Sequence, residues 1–155
     1  MASQLAPDVA RVLERHAPHA GEALAGFHAA IWGALDPILL ELCRRRIAML
    51  HEDRAEVERL VPDSGAVAIP VAKLVDLGRW PDSDAFTSTE RACLAFTELF
   101  VADVSGITQA DVNVVAECLG AAGLYGFVNA LLALDQQERL RLAMRGILGT
   151  QEAQT

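Results

Sequence analysis

The sequence predicts an all-α domain, and three observations predict it. The hydrophobic fraction is 52% with only 5% aromatic, so the core is built from Ala, Leu and Val, which suit helices and have modest volume. Apolar residues recur at spacings of three and four along most of the chain. Helix-start signals stand at Asp36-Pro37 and at Thr87-x-x-Glu90. A chain of 155 residues suits one domain over residues 1–150 with a short tail at 151–155, and it buries roughly two thirds of its unfolded surface in a single core.

Residues 7 to 33 read as an N-terminal helical pair with breaks at Pro18 and Gly21; Val12, Leu13 and His16, then Leu24, Phe27, His28, Ile31 and Trp32, follow helical spacing. Asp36 then offers a capping side chain, and Pro37 sits at the first helical position, where its missing N–H costs nothing. This helix runs to about Leu50 on a core-like stripe of Leu39, Leu42, Cys43, Ile47 and Leu50. Arg46 falls on that stripe, while Glu41, Arg44 and Arg45 share the polar side. His51 to Arg59 continues as a charged helix or turn as far as Pro62, and residues 61–70, rich in Pro, Gly and Ser, read as a loop. A short helix follows at residues 71–78. The capping box of Thr87 and Glu90 opens a helix whose apolar face is Ala92, Cys93, Phe96, Leu99 and Phe100. Thr108 with Asp111 opens another, and residues 119–146 form the last. Gly120, Gly123 and Gly126 would let a second helix approach it closely.

Charge and hydropathy narrow the partners. The formal charge is −8, with a single lysine, Lys73, among 13 basic residues. There is no long basic face to track a phosphate backbone, so nucleic acid is not expected. Arginine is the better residue for buried or bidentate pairs, and an arginine-heavy chain with excess carboxylates is compatible with internal pairing. A mean hydropathy of +0.26 is high for a small monomer, so part of the apolar surface is expected between subunits. Cys43, Cys93 and Cys118 are an odd, widely spaced set on apolar stretches, which fits core positions and a reducing cytoplasm. Asp8, Arg11, Glu14 and Arg15 interrupt any secretory pattern. The uncharged run Leu119 to Leu134 falls short of the ~18 residues of a membrane span, and reads as a buried helix.

One stretch, residues 41–60, carries a family resemblance. In the alkyl hydroperoxidase D-like, or carboxymuconolactone decarboxylase-like, superfamily, a helix bearing a glutamate and a pattern like LRxAxL runs into Cys-x-x-Cys, with a histidine four residues later. This chain has Glu41, Arg46, Ala48 and Leu50, but Asp53 and Glu56 stand at the cysteine positions and Leu60 at the histidine position. Trp80, Phe86, Glu90-Arg91-Ala92, Leu94-Ala95-Phe96 and Glu98 are similar to the family's second block, and GFVNALLALD at 126–135 resembles its terminal block. The resemblance covers about residues 35–135. It implies an alkyl hydroperoxidase D-like helical bundle assembling into trimers or hexamers, with the redox helix near subunit contacts. A dithiol cannot work without sulfur. Glu41 aligns with the family's proton-relay glutamate, but here the relay has no thiol to serve, and Arg45 at i+4 offers an ordinary surface pair instead.

The candidate site residues follow from residue type and placement. An arginine on an apolar stripe, Arg46, calls for a buried carboxylate or for a ligand carboxylate held by its planar fork. Glu98, with Leu94, Ala95, Val101 and Ala102 one turn away, either pairs with an arginine or acts as an acid or base with a raised pKa. His51, Glu52, Asp53 and Glu56 offer acid-base chemistry or a divalent-metal set, against the reading of a solvated helix start whose acids favour the dipole's positive end. A metal would need two of these carboxylates to turn inward, so neither metal nor cofactor is expected. The candidate ligand-binding residues are therefore Arg46, Glu41, Asp53, Glu56 and Trp80, and the candidate proton carriers are Glu98 and His51. His16 and His19 flank Pro18 and belong on the surface; His28 and Trp32 pack together one turn apart; Asn129 reads as a buried amide.

Two functions from different classes fit these residues. In the first, a non-redox carboxymuconolactone decarboxylase-like protein binds or transforms a small organic acid or lactone, with Arg46 holding a carboxylate and His51 or Glu98 moving a proton. In the second, the chain is a catalytically silent oligomeric scaffold or interaction protein. Thiol peroxidase activity ranks last, since Cys43 lies ten residues before the first-cysteine position and has no resolving partner nearby. The first places Arg46, His51 and Glu98 around one cavity. The second closes Arg46 into an ion pair.

Overall fold

The computed structural model describes residues 5–59 and 68–152, with side chains described as far as Gly146. Helices α1 (Pro7–His16), α2 (Pro18–Ala34), α3 (Pro37–Leu50), α4 (Arg54–Glu58), α5 (Val71–Asp76), α6 (Ser88–Ala102) and α7 (Gln109–Glu152) are joined by short connections, with 3₁₀ turns at Leu77–Asp82 and Val104–Gly106. No strand occurs among the described residues. The all-α expectation holds.

Local signals place most helix ends. Asp36 caps α3 by accepting from the Ile38 N–H at 2.8 Å, with Pro37 at the first position. Thr87 and Glu90 form the reciprocal capping box of α6. Asp111 accepts from the Thr108 N–H at 2.8 Å at the head of α7. Pro18 separates α1 from α2, but α2 runs through Gly21 unbroken. A Cβ at Gly21 would stand 3.1 Å from Leu13 Cβ, so this glycine admits α1 rather than ending a helix. Leu60, Pro62 and most of the loop at 61–70 lie outside the described residues.

Helix α3 is the centre of the bundle. Leu39 through Arg44 are buried without interruption, because α4, α6 and α7 all pack against this helix. Leu40, Leu42, Cys43, Ile47, Leu94, Phe127 and Leu131 are buried to 1% exposure or less. The Phe96 and Phe127 rings tie α6 to α7 at a centroid distance of 6.1 Å and a tilt of 55°. A second, smaller apolar cluster, Leu5, Ala6, Val9 and Leu13, docks α1 onto α2 and the far end of α7.

The long α7 bends at Gly120, whose φ of +72° and ψ of 170° leave the helical region. Only glycine adopts that conformation freely. Gly120 thus serves a bend, while a Cβ at Gly126 would stand 3.9 Å from Leu35 at the end of α2. The uncharged stretch beyond it is buried on one side only: Phe127, Ala130, Leu131, Ala133 and Leu134 face the core, while Ala122, Tyr125, Asn129 and Leu132 are exposed. That overturns the reading of a wholly buried helix. By length and composition the helix over Gln109–Gly146 is apolar enough to cross a membrane, and only 22% of its most apolar window is buried. Asn129 lies on the outer face, donating to the Tyr125 carbonyl at 2.8 Å, and Cys118 is exposed too.

Phe127→Ala is expected to lower stability by about 3–5 kcal/mol, because no neighbour fills the space its ring leaves. Gly120→Ala is expected to cost about 1–2 kcal/mol through backbone strain alone. Urea unfolding followed by circular dichroism checks both, and an equal loss in the two variants would contradict this division.

Candidate functional site

The polar centre of the protein is a buried ion network, and α3 supplies its first half. Glu41 and Arg44, expected on a solvated side of α3, are 4% and 3% exposed. Arg44 Nε and Nη2 each donate to Glu41 at 2.7 Å in a forked pair. Nη1 donates to Glu56 Oε1 at 2.7 Å and to the Glu56 carbonyl at 2.8 Å, and Nη2 also reaches the Arg59 carbonyl at 2.8 Å. One side chain therefore neutralises two carboxylates and bonds two carbonyls near the end of α4, those of Glu56 and Arg59. Burial alone would depress the Arg44 guanidinium, but its bonds to Glu41 and Glu56 outweigh that and hold it above the ordinary value. Arg45 adds the expected i+4 bond to Glu41 at 2.7 Å, although this pair is largely buried.

The second half comes from α7. Asp53 caps α4, accepting from the Glu56 N–H at 3.3 Å, and it also accepts from Arg141 Nη2 and, at 3.0 Å, from Arg145 Nη2. Arg141 reaches Asp8 of α1 at 3.4 Å. Burial would raise the Asp53 pKa, but the Glu56 N–H and then Arg141 and Arg145 keep it below the ordinary range. Glu56, 1% exposed, is further gripped by Arg59 Nε and Nη2 at 2.7 Å each. The reading of residues 51–58 as a solvated start is thus overturned at Asp53 and Glu56. Both carboxylates do turn inward, and arginines meet them.

Arg46 and Glu98 come together as an ion pair. Arg46 Nε and Trp80 Nε1 both donate to Glu98 Oε1 at 2.7 Å. Trp80 is held by Arg91, which bonds the Pro81 carbonyl at 3.0 Å and the carbonyls of Ser83 and Phe86, so the 3₁₀ turn is pinned to α6. Lys73 closes on Glu90 at 2.5 Å and 2.6 Å, which fastens α5 beside it. Glu98 lies in a partly wet setting, its side chain 32% exposed, rather than in an apolar one. His51 bonds a different carboxylate, Asp135 Oδ1, at 2.9 Å, and Asp135 also takes Arg139 at 2.7 Å. The three suspects therefore do not converge: Arg46 and Glu98 satisfy each other, and His51 answers to α7.

A surface cavity of about 260 Å³ opens at the turn between α3 and α4, lined by Met49, Glu52, Asp53, Arg54, Val57 and Glu58. Of the candidate residues only Asp53 reaches it. Glu52 turns the chain there with φ +58°, a left-handed conformation unusual for a residue with a side chain. His28, at the α2 face of the core, is fully buried, and burial followed by the nearby Arg59 charge, opposed by the Ala133 backbone, lowers its pKa to about 4. It stays neutral. Its turn-mate Trp32 is buried too, while His16 and His19 are exposed as expected. Burial pushes the Cys43 thiol up to about 12 and raises Cys93 as well, so neither is a nucleophile.

Arg44, Arg59, Glu138, Arg141 and Arg145 are members of the network that residue patterns do not single out. The available signal was compositional: twelve arginines against one lysine in an acidic chain. Compared with models of known protein families and with curated proteins, the chain matches none.

Replacing Arg44 by leucine leaves Glu41 and Glu56 buried without their main partner and is expected to cost about 3–5 kcal/mol. Arg46→Leu removes a pair open to solvent and is expected to cost about 1 kcal/mol or less. Urea midpoints of the two variants test the ranking, and a larger loss at Arg46 would reverse it.

Proposed function

We propose that this chain is a non-redox, carboxymuconolactone decarboxylase-like helical protein whose work is done through assembly, with copies of itself meeting at the outer face of α7. The observation that carries this reading is that face. From Cys118 to Leu134 no residue is charged, yet Tyr125 is 72% and Leu132 47% exposed. In a chain of net charge −8, an uncharged surface is where two copies approach without like-charge repulsion. An exposed Tyr on an uncharged face also matches contact surfaces, which are enriched in aromatic residues and depleted of charge. The family resemblance implies a trimer or hexamer.

A bilayer is a poorer cover for the same face. Beyond the bend, the uncharged stretch Ala121–Leu134 is about 21 Å long, against a hydrocarbon core of about 30 Å. The buried, unpaired thiols of Cys43 and Cys93 suit a cytoplasmic setting. The candidate proton carriers are engaged, Glu98 by Arg46 and His51 by Asp135, and of the candidate ligand-binding residues Asp53 and Glu56 are occupied by arginines.

One observation favours small-acid binding as a second reading. Arg46 uses only Nε on Glu98, and no described residue accepts from its two terminal nitrogens. That free edge matches a carboxylate. Arg46 and Trp80 would then bind a small organic acid beside Glu98, with no cofactor.

Light scattering during size-exclusion chromatography tests the first reading. The wild-type chain is expected to elute as a trimer or hexamer, and the double variant Tyr125→Glu, Leu132→Glu as a monomer with unchanged helical circular dichroism. A wild-type monomer at ~50 μM, well above the dissociation constants of stable assemblies, would sink the proposal. For the second reading, calorimetric titration with succinate should give heat that Arg46→Gln abolishes; equal heats in both proteins would dismiss it.

A further inference from the structure

Glu138 lies on the inner side of α7 at 3% exposure, one turn before Arg141 at 6%. Two more carboxylates share its environment, Asp53 at the head of α4 and Glu56 inside it. One guanidinium serves all three. Arg141 Nη2 is committed to Asp53, while its Nε stands 3.5 Å from Glu56 Oε2 and 3.6 Å from Glu138 Oε2 and completes a hydrogen bond with neither. The other charges around the cluster are engaged with Arg141, Asp53 and Glu56 rather than with Glu138. Asp8 of α1 faces Arg141, Arg145 faces Asp53, Arg59 grips Glu56, and Arg44 of α3 is shared between Glu41 and Glu56. His28 of α2 lies toward Arg59 and is neutral. Glu138 Oε1 has no hydrogen-bond partner among the described residues. An ionised Glu138 therefore meets the network only through the 3.6 Å ion pair with Arg141. A protonated Glu138 is different, because it gains an O–H that Asp53 can accept.

We propose that Glu138 is a proton-operated latch between α7 and residues 51–59: protonated, it donates to Asp53 and holds that segment down, and ionised, it sets three carboxylates against one another around Arg141 and loosens the segment. Because Glu52, Asp53, Arg54, Val57 and Glu58 wall the surface cavity, its shape follows the same proton. The cluster is tuned for this range. Burial first, opposed by Arg141 and reinforced by Glu56 and Asp53, pushes the Glu138 pKa up to about 7 from 4.5. Between those two values the folded chain keeps a proton that the unfolded chain has released, so stability declines as pH rises through the window and levels off above it.

Amide hydrogen exchange on the full chain, corrected for the intrinsic rate, tests the latch from about pH 5.5 to about pH 8.5. Protection in peptides spanning residues 51–59 is expected to fall by about tenfold or more in the wild type, and to stay level in Glu138→Gln, which keeps a donor at every pH. Parallel losses in both proteins overturn the proposal. Should the variant fail to fold, carboxyl carbon-13 titration of the wild type decides instead. A Glu138 midpoint near 7 with a linked response at Asp53 upholds the latch, and a midpoint in the ordinary glutamate range near ~4.3 overturns it.

Discussion

The demand of a buried guanidinium for partners organises this protein. Arg44 is almost wholly enclosed, and a charge taken out of water must be paired and hydrogen-bonded or the fold does not form around it. Its five hydrogen bonds reach one carboxylate on its own helix, a second on α4 and two carbonyls at the end of α4. That set can be completed only if the chain reverses after α3 and lays α4 back alongside it. The left-handed Glu52 makes the reversal. The arginine thus determines the path of the chain at the place where the cavity forms.

Arg141 plays the matching role from the other end of the sequence. It draws Asp8, Asp53 and Glu56 toward α7, so the first and last helices and the α3–α4 turn share one electrostatic centre. Two arginines with broad planar forks do what a lysine's compact point charge would not, since several acceptors in different directions must be met at once. The sole lysine, Lys73, by contrast serves a single carboxylate. A network of this density leaves little polar freedom near α3 for chemistry on a substrate. It also leaves one carboxylate, Glu138, incompletely served, and an incompletely served buried group is the most responsive to a proton.

The distribution of charge explains how such an interior coexists with an apolar exterior. Paired charges are gathered in a band through α3, α4 and the later part of α7, whereas residues 121–134 of α7 carry none. Its inner side packs on Leu94 and Phe96 of α6 within the main core. Its outer side keeps Tyr125 and Leu132 in solvent. The high mean hydropathy of the chain has its structural counterpart in this helix.

Helix type and most helix ends were legible in the sequence, because caps and apolar periodicity are local: Asp36 with Pro37, Thr87 with Glu90, and Thr108 with Asp111 each act within three residues. The pairing of Arg46 with a carboxylate was legible for a related reason, since an arginine on an apolar stripe must be answered. The sequence by itself could not say which faces of α3 and α7 are inside. Glu41 and Arg44 look solvated by pattern yet are buried, and Asn129 and Cys118 sit in apolar runs yet are exposed. Burial of a polar residue depends on partners brought from distant positions, as Asp53 and Arg141 are, 88 residues apart. Periodicity marks that a face is apolar or polar; only the packed structure supplies the neighbour that makes a buried charge tolerable.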